Sequence, residues 1–159
     1  MFQEMSVEDA IKDSYIAQGL SDAQLHKLYG IAHFRTFSDG ETILQQFDSS
    51  KDLLVLASGK AHVVTVVGEP IGLIRAGMPL GEISFIDDRP RSVSVISVGV
   101  SEAVLMPADE LRKLLDENPD MEIILLRNLS RVLCARLRSA NNNIAALMAI
   151  DESEAPTRR

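Results

Sequence analysis

The residues best suited to binding chemistry lie in one short stretch, residues 81–92, which reads GEISFIDDRPRS. Arg91 stands nine positions after Glu82 and directly before Ser92. A guanidinium beside a hydroxyl suits a phosphate, because its planar fork can hold two phosphate oxygens. A lone carboxylate nearby suits a sugar hydroxyl. The stretch therefore predicts a pocket for a ligand that carries both groups.

The backbone of the same stretch supports this prediction. Gly81 can take a positive φ and lets a ligand approach the main chain closely. The four residues after Glu82 are long enough for one helical turn, whose first N–H groups can bind an anion. Pro90 fixes the backbone just before Arg91. From spacing alone, an ion pair between Glu82 and Arg91 on the rim of the domain is an equally good explanation.

Helices are predicted to precede the segment that holds this pocket. Residues 1–30 carry two pairs spaced as helix caps, Ser6 with Asp9 and Ser21 with Gln24. Residues 31–106 contain short β-branched runs separated by Gly and Pro turns about every ten residues, which is typical of a sandwich, jelly roll or barrel. The predicted strands are residues 42–44, 53–56, 62–67, 71–74, 93–98 and 103–105.

Residues 107–149 are predicted to be helical again. A short helix opens near Asp109, and a long one starts at Pro119, in the first-turn position that tolerates proline, and runs to about Met148. Residues 151–159 are polar, and a disordered tail is predicted over residues 150–159.

The long helix has two patterned faces. Apolar residues recur at alternating spacings of four and three, which is the a and d pattern of paired helices and predicts a homodimer. They are Leu133, Leu137, Ala140, Ile144 and Leu147. The alternative is that this face packs on the chain's own β-domain. A basic face is formed by Arg127, Arg131, Arg136 and Arg138, and we expect it to be solvated.

The composition limits the class of protein. The 159 residues, 46% of them hydrophobic, suit one globular domain, and a net charge of −7 disfavours direct nucleic-acid binding. No apolar run reaches the roughly 18 residues of a membrane span, and no secretory signal is expected. Cys134 is the only cysteine, so an internal disulfide is excluded and a cytoplasmic location is expected.

Catalytic chemistry is the least favoured interpretation. His26, His33 and His62 are far apart in sequence and form no ligand cluster of the kind that a metal-dependent enzyme needs. Asp87 and Asp88 fit a solvated loop. No nucleophile and base can be paired, so we expect no enzyme, no metal, no catalytic residue and no cofactor.

Residues 81–92 resemble the phosphate-binding cassette of cyclic nucleotide-binding domains. That family includes the bacterial catabolite activator protein, the regulatory subunit of protein kinase A and cyclic-nucleotide-gated channels. Its opening pattern is met by Arg35, Phe37, Gly40, Glu41 and Ile43. Ser58-Gly59 and Asn118-Pro119 match two further points, so that the resemblance covers about residues 20–148.

The resemblance implies a mainly β fold, an eight-stranded β-roll of the jelly-roll-like double-stranded β-helix type, with N-terminal helices and a long C-terminal helix. It implies cAMP or cGMP as the ligand. Glu82 falls at the position that holds the ribose 2′-hydroxyl, and Arg91 at the position that holds the cyclic phosphate. Further contacts are implied for Leu80, Gly81, Ile83 and Ser92, and for Ala140 or Asn141 against the base.

Two positions depart from the family pattern. Val93 stands where the family often has Ala, so its side chain either crowds the phosphate or points into the β core. Residues 46–50 lack a glycine that is often present. We therefore expect a cyclic nucleotide sensor without an output domain of its own, which acts on an unidentified effector protein. The alternative is a degenerate domain that keeps the fold and serves as a protein-interaction module.

Overall fold

The computed structural model describes residues 5–154, and the N-terminal part is helical as predicted. Helix α1 spans Val7–Lys12, a 3-10 turn spans Tyr15–Ala17, and α2 spans Asp22–Tyr29. Both predicted capping boxes are present: the Ser6 and Ser21 hydroxyls accept hydrogen bonds from the amides three residues later.

Six antiparallel strands form the β-roll. The strands are β1 (His33–Phe37), β2 (Thr42–Leu44), β3 (Leu53–Val64), β4 (Pro70–Arg75), β5 (Pro79–Leu80) and β6 (Ser94–Met106). The order β1-β6-β3-β4 forms the sheet, while β2 pairs with β6 and β5 pairs with β3. This arrangement confirms the predicted fold class.

Residues 5–154 contain six strands rather than the expected eight, because β3 and β6 each continue through a predicted break. A turn is predicted at Gly59, and Gly99 lies between the predicted strands 93–98 and 103–105; both glycines have a positive φ, of 81° and 69°. The register between β3 and β6 shifts on either side of Ser58, so a bulge takes up the irregularity and pairing resumes beyond it. Each long strand therefore takes the place of two shorter ones.

The remaining helices are α3 (Glu82–Asp87), α4 (Ala108–Asp116) and α5 (Pro119–Glu154). α3 is the short turn expected after Gly81. α5 extends past its predicted end at Met148, so the prediction that the disordered tail begins at residue 150 is wrong for residues 150–154. No Gly or Pro occurs between Pro119 and Pro156, so no residue of low helix propensity of this kind ends the helix at Met148. The last five residues lie outside the described part of the chain.

The first half of α5 packs against the β-roll and the N-terminal helices through a shared apolar core. Met121, Leu125 and Leu129 are fully buried against the N-terminal helices and the sheet. Buried Asn128 adds two hydrogen bonds of 2.8 Å, donated to the carbonyls of Ile16 and Gln18. Residues 137–153 are all exposed. No helix in the described range 5–154 has the length and apolar character needed to span a bilayer.

Candidate ligand pocket

The cassette packs closely against the end of the loop before β3. Gly81 precedes α3 with a φ of 76°, a conformation that favours glycine. A Cβ at this position would lie 2.8 Å from the Asp52 carbonyl oxygen and would also press on the Arg91 guanidinium. Glycine is therefore required here both for its backbone conformation and for space.

Arg91 lies inside the protein, with 3% of its surface exposed. Its Nη1 donates to the Gly81 carbonyl at 3.0 Å, and its Nη2 donates to the Asp52 carbonyl at 2.7 Å and to the Ser50 hydroxyl at 3.3 Å. Its buried Nε has no hydrogen-bond partner in residues 5–154. A buried donor without a partner is costly, so this nitrogen is suited to receive an acceptor from a ligand.

Burial of Arg91 also penalises its charged form. Burial lowers the pKa of its guanidinium, and the carboxylates of Asp52, Asp48 and Glu82 oppose that shift without removing it. The charged form is thus incompletely compensated in the protein alone. A bound phosphate would help to offset this burial cost.

Glu82 does not pair with Arg91, so the rim ion pair considered from the sequence is wrong. The Glu82 carboxylate is 3% exposed, and its Oε1 accepts a hydrogen bond from Nη1 of Arg136 on α5. Nη2 of Arg136 donates to the Pro79 carbonyl at 2.7 Å. A charge-assisted contact therefore joins the long helix to the amino end of α3.

A cavity of about 170 Å³ lies between these groups. It is lined by the six side chains and backbone positions predicted near the phosphate and ribose: Leu80, Gly81, Glu82, Ile83, Arg91 and Ser92. Val93 also lines the cavity and packs against the apolar core of the β-roll, in agreement with the suggestion that its side chain points into the core. Crowding of the phosphate by Val93 stays a prediction.

A larger groove of about 920 Å³ lies between β4 and the part of α5 from Asn128 to Leu147. Val63, Ile74 and Arg136 line both the groove and the smaller cavity, so the two spaces adjoin. Ala140 and Asn143 line the groove, whereas Asn141 is exposed and is not among its lining residues. The assignment of the base contact to Asn141 stays a prediction.

The turn that lacks the family glycine is present and contacts the cassette. Phe47 takes a φ of 71°, which is unusual for a residue with a side chain. Its N–H donates to the Arg91 carbonyl at 2.9 Å, and the Arg91 N–H donates to the Asp48 carbonyl at 2.9 Å. These two hydrogen bonds join the turn to the cassette, and Phe47 takes a strained backbone conformation there.

Sequence reasoning did not identify Ser50, Asp52 and Arg136 as parts of the site. The contact of Asp52 with Arg91 is made by its backbone carbonyl, which no side-chain pattern can reveal. The expectation that Arg136 lies on a solvated basic face is wrong, since it pairs with buried Glu82. It stands one helical turn after Val132, which is buried, and so shares the inward face of α5.

Comparison with known proteins shows which proteins the chain resembles. A family model described as "Cyclic nucleotide-binding domain" matches residues 34–118, just over half of the chain. Glutaminase 1 of Bradyrhizobium diazoefficiens is 30% identical over 83% of this chain, and the CRP-like cAMP-activated global transcriptional regulator of Mycobacterium tuberculosis is 27% identical over 91%. The chain spans only 21% and 65% of these two relatives.

A solved structure also resembles this chain. The cyclic nucleotide-binding domain from Methylobacillus flagellatus superposes with a TM-score of 0.74 at 25% identity, and covers 80% of this chain and 74% of its own.

Proposed function

Because the chain belongs to the cyclic nucleotide-binding domain family, we propose that it binds cAMP or cGMP in the cavity beside α3 and acts as a regulatory sensor. The observation that carries this proposal is Arg91, a buried residue that lines the cavity and whose Nε has no hydrogen-bond partner within residues 5–154. Glu82, which is also buried, lines the same cavity. A cyclic nucleotide supplies both complementary groups, a phosphate anion and a ribose hydroxyl.

The roles of the site residues follow from their chemistry. Arg91 binds the cyclic phosphate, and the anion offsets the cost of burying the guanidinium. Glu82 accepts a hydrogen bond from the ribose 2′-hydroxyl. The backbone of Gly81 and Ile83 and the hydroxyl of Ser92 complete the polar contacts, and Leu80 supplies an apolar wall. Val93 narrows the phosphate side of the cavity.

Arg136 on α5 links that helix to the pocket. It holds the carboxylate that the ribose is proposed to contact, so the position of α5 and the occupancy of the cavity depend on one another. A ligand shifts such an equilibrium only by its different affinity for the two arrangements. Nucleotide binding is therefore expected to change how α5 is presented to an effector protein.

Titration calorimetry with cAMP and with cGMP tests the binding step. Arg91→Ala should lose about 2–5 kcal/mol of binding free energy, because a buried charge–phosphate contact is removed. Arg89→Ala is the matched control, since Arg89 is exposed two residues earlier, and it should bind like the wild type. Absence of heat with either nucleotide in the wild type, or equal affinity in Arg91→Ala, would overturn the proposal.

We also infer that α5 pairs with α5 of a second copy. Leu137, Ile144 and Leu147 remain 62%, 56% and 67% exposed, so this apolar face does not pack tightly on the chain's own β-roll. Their heptad spacing suits an identical helix, which would cover the face with matching knobs and holes. The effector protein and a cytoplasmic location stay predictions.

One observation favours the alternative of an interaction module without a ligand. Two nitrogens of Arg91 are already satisfied by backbone carbonyls, and Glu82 already holds Arg136. Mass spectrometry of the purified protein for co-purified nucleotide, together with the titrations above, separates the two functions. A dimer that carries no nucleotide and ignores added nucleotide would favour the interaction module.

A further inference from the structure

Arg112 on α4 holds the carboxyl end of α3, at the side of the cassette opposite Arg136. Its Nη2 donates to the Phe85 carbonyl at 3.3 Å and to Oδ1 of Asp88 at 3.1 Å. Its guanidinium carbon lies 5.6 Å from the centre of the Phe85 ring. One side chain thus contacts the main chain, a carboxylate and an aromatic face of the cassette.

This end of α3 has particular need of an external partner. The helix has six residues, and it stops at Asp88, whose φ of 60° ends the helical path. The last carbonyls of a helix have no partner within it and attract a cation. Arg112 supplies a cation to the Phe85 carbonyl, and it fixes Phe85, whose side chain is buried in the core.

We propose that Arg112 is a positioning residue for ligand binding: it orders α3 so that Gly81, Glu82 and Ile83 keep their places around the cavity. The proposal rests on the proposed nucleotide function and assigns Arg112 no contact with the ligand. α3 is held at both ends, by Arg136 at Glu82 and by Arg112 at Phe85 and Asp88. A site that is ordered before binding loses less entropy when the ligand arrives.

The binding test measures the dissociation constant and dissociation rate of cAMP for the wild type and three variants. Arg112→Ala should weaken binding about fivefold through faster dissociation, since a half-exposed ion pair and a cation–π contact are lost. Asp88→Asn should weaken it less, because Asn tolerates the left-handed backbone and the Phe85 contact remains. Lys113→Ala is the control, since Lys113 is exposed on the same helix, and it should leave both constants unchanged.

Hydrogen exchange in the ligand-free protein tests the positioning role independently of nucleotide. The Phe85 and Asp88 amides, bonded at 3.2 Å and 3.0 Å to the Gly81 and Ser84 carbonyls, report on α3. Arg112→Ala should speed their exchange about fivefold, whereas the Leu25 amide in α2, bonded at 2.9 Å to Ser21, should be unaffected.

Unchanged exchange at Phe85 and Asp88 in Arg112→Ala would overturn the positioning role, as would a cAMP dissociation constant equal to that of the wild type. An equal rise in exchange at Leu25 would also overturn it, because the effect would then be general destabilisation. Failure of the wild-type protein to bind any cyclic nucleotide would instead overturn the proposed function, and exchange at α3 would still report whether Arg112 orders the cassette.

Discussion

At the residue scale, Glu82 offers a direct test of ligand recognition. Arg136 holds its Oε1, and Oε2 carries no hydrogen bond within residues 5–154, so one oxygen is free for the ribose. We expect cAMP to bind at least about tenfold more tightly than 2′-deoxy-cAMP, since a hydrogen bond to a charged group contributes about 1.5–3 kcal/mol. Competition binding should show that Glu82→Gln reduces this ratio. Arg91→Ala should weaken both ligands and preserve the ratio, and a preserved ratio in Glu82→Gln would contradict the ribose assignment.

Phe47 permits a second prediction at this scale. Its left-handed backbone costs roughly 1–2 kcal/mol, while its side chain is 75% exposed and contributes little burial. Phe47→Asn should therefore raise the free energy of unfolding by about 1 kcal/mol, because Asn tolerates this conformation. Urea denaturation measures the change. Val66→Asn removes an exposed apolar side chain where φ is not positive and should have almost no effect. A loss of stability in Phe47→Asn would show that the Phe side chain, not the backbone, decides.

At the element scale, the contact between α5 and the cassette depends on Arg136. Arg136→Ala leaves the carboxylate of Glu82 buried without its partner and should lower the free energy of unfolding by about 1–3 kcal/mol, less than for a fully buried pair. Adding Glu82→Gln should recover part of this loss, because the uncompensated charge is gone. Arg138→Ala, on the exposed side of the same helix, should be neutral in the same urea experiment. Equal losses in Arg136→Ala and Arg138→Ala would remove the basis for this coupling.

The elements also show what the sequence could predict. The starts of α1, α2 and α5 follow from local signals, the Ser6 and Ser21 caps and Pro119, and all three are confirmed. The continuity of β3 and β6 could not be read locally, because glycine favours a turn as much as a bulge and strand pairing decides between them. Likewise the cassette was found from its side chains, but the partners of Arg91 are mainly carbonyls and the partner of Glu82 is 54 residues away. Such contacts follow from the tertiary fold alone.

At the scale of the whole molecule, the exposed half of α5 determines the expected assembly. We expect a dimer by analytical ultracentrifugation, and a monomer when Leu137→Lys and Ile144→Lys are combined, because two charges would then face the apolar seam. Asn142→Lys adds charge to the same helix outside the heptad positions and should remain dimeric. A monomeric wild type, or a double variant that stays dimeric, would contradict the predicted seam.

Arg136 lines both the small cavity and the large groove, and this shared wall has a thermodynamic consequence. Suppose that the α5 helix of a second copy packs against α5 and moves Arg136. Dimer formation and nucleotide binding are then linked equilibria. Linkage is reciprocal: whatever factor the dimer applies to nucleotide affinity, the nucleotide applies to dimer affinity. The dissociation constant for cAMP would then vary with protein concentration, and a dilution series would measure how strongly the two events are coupled.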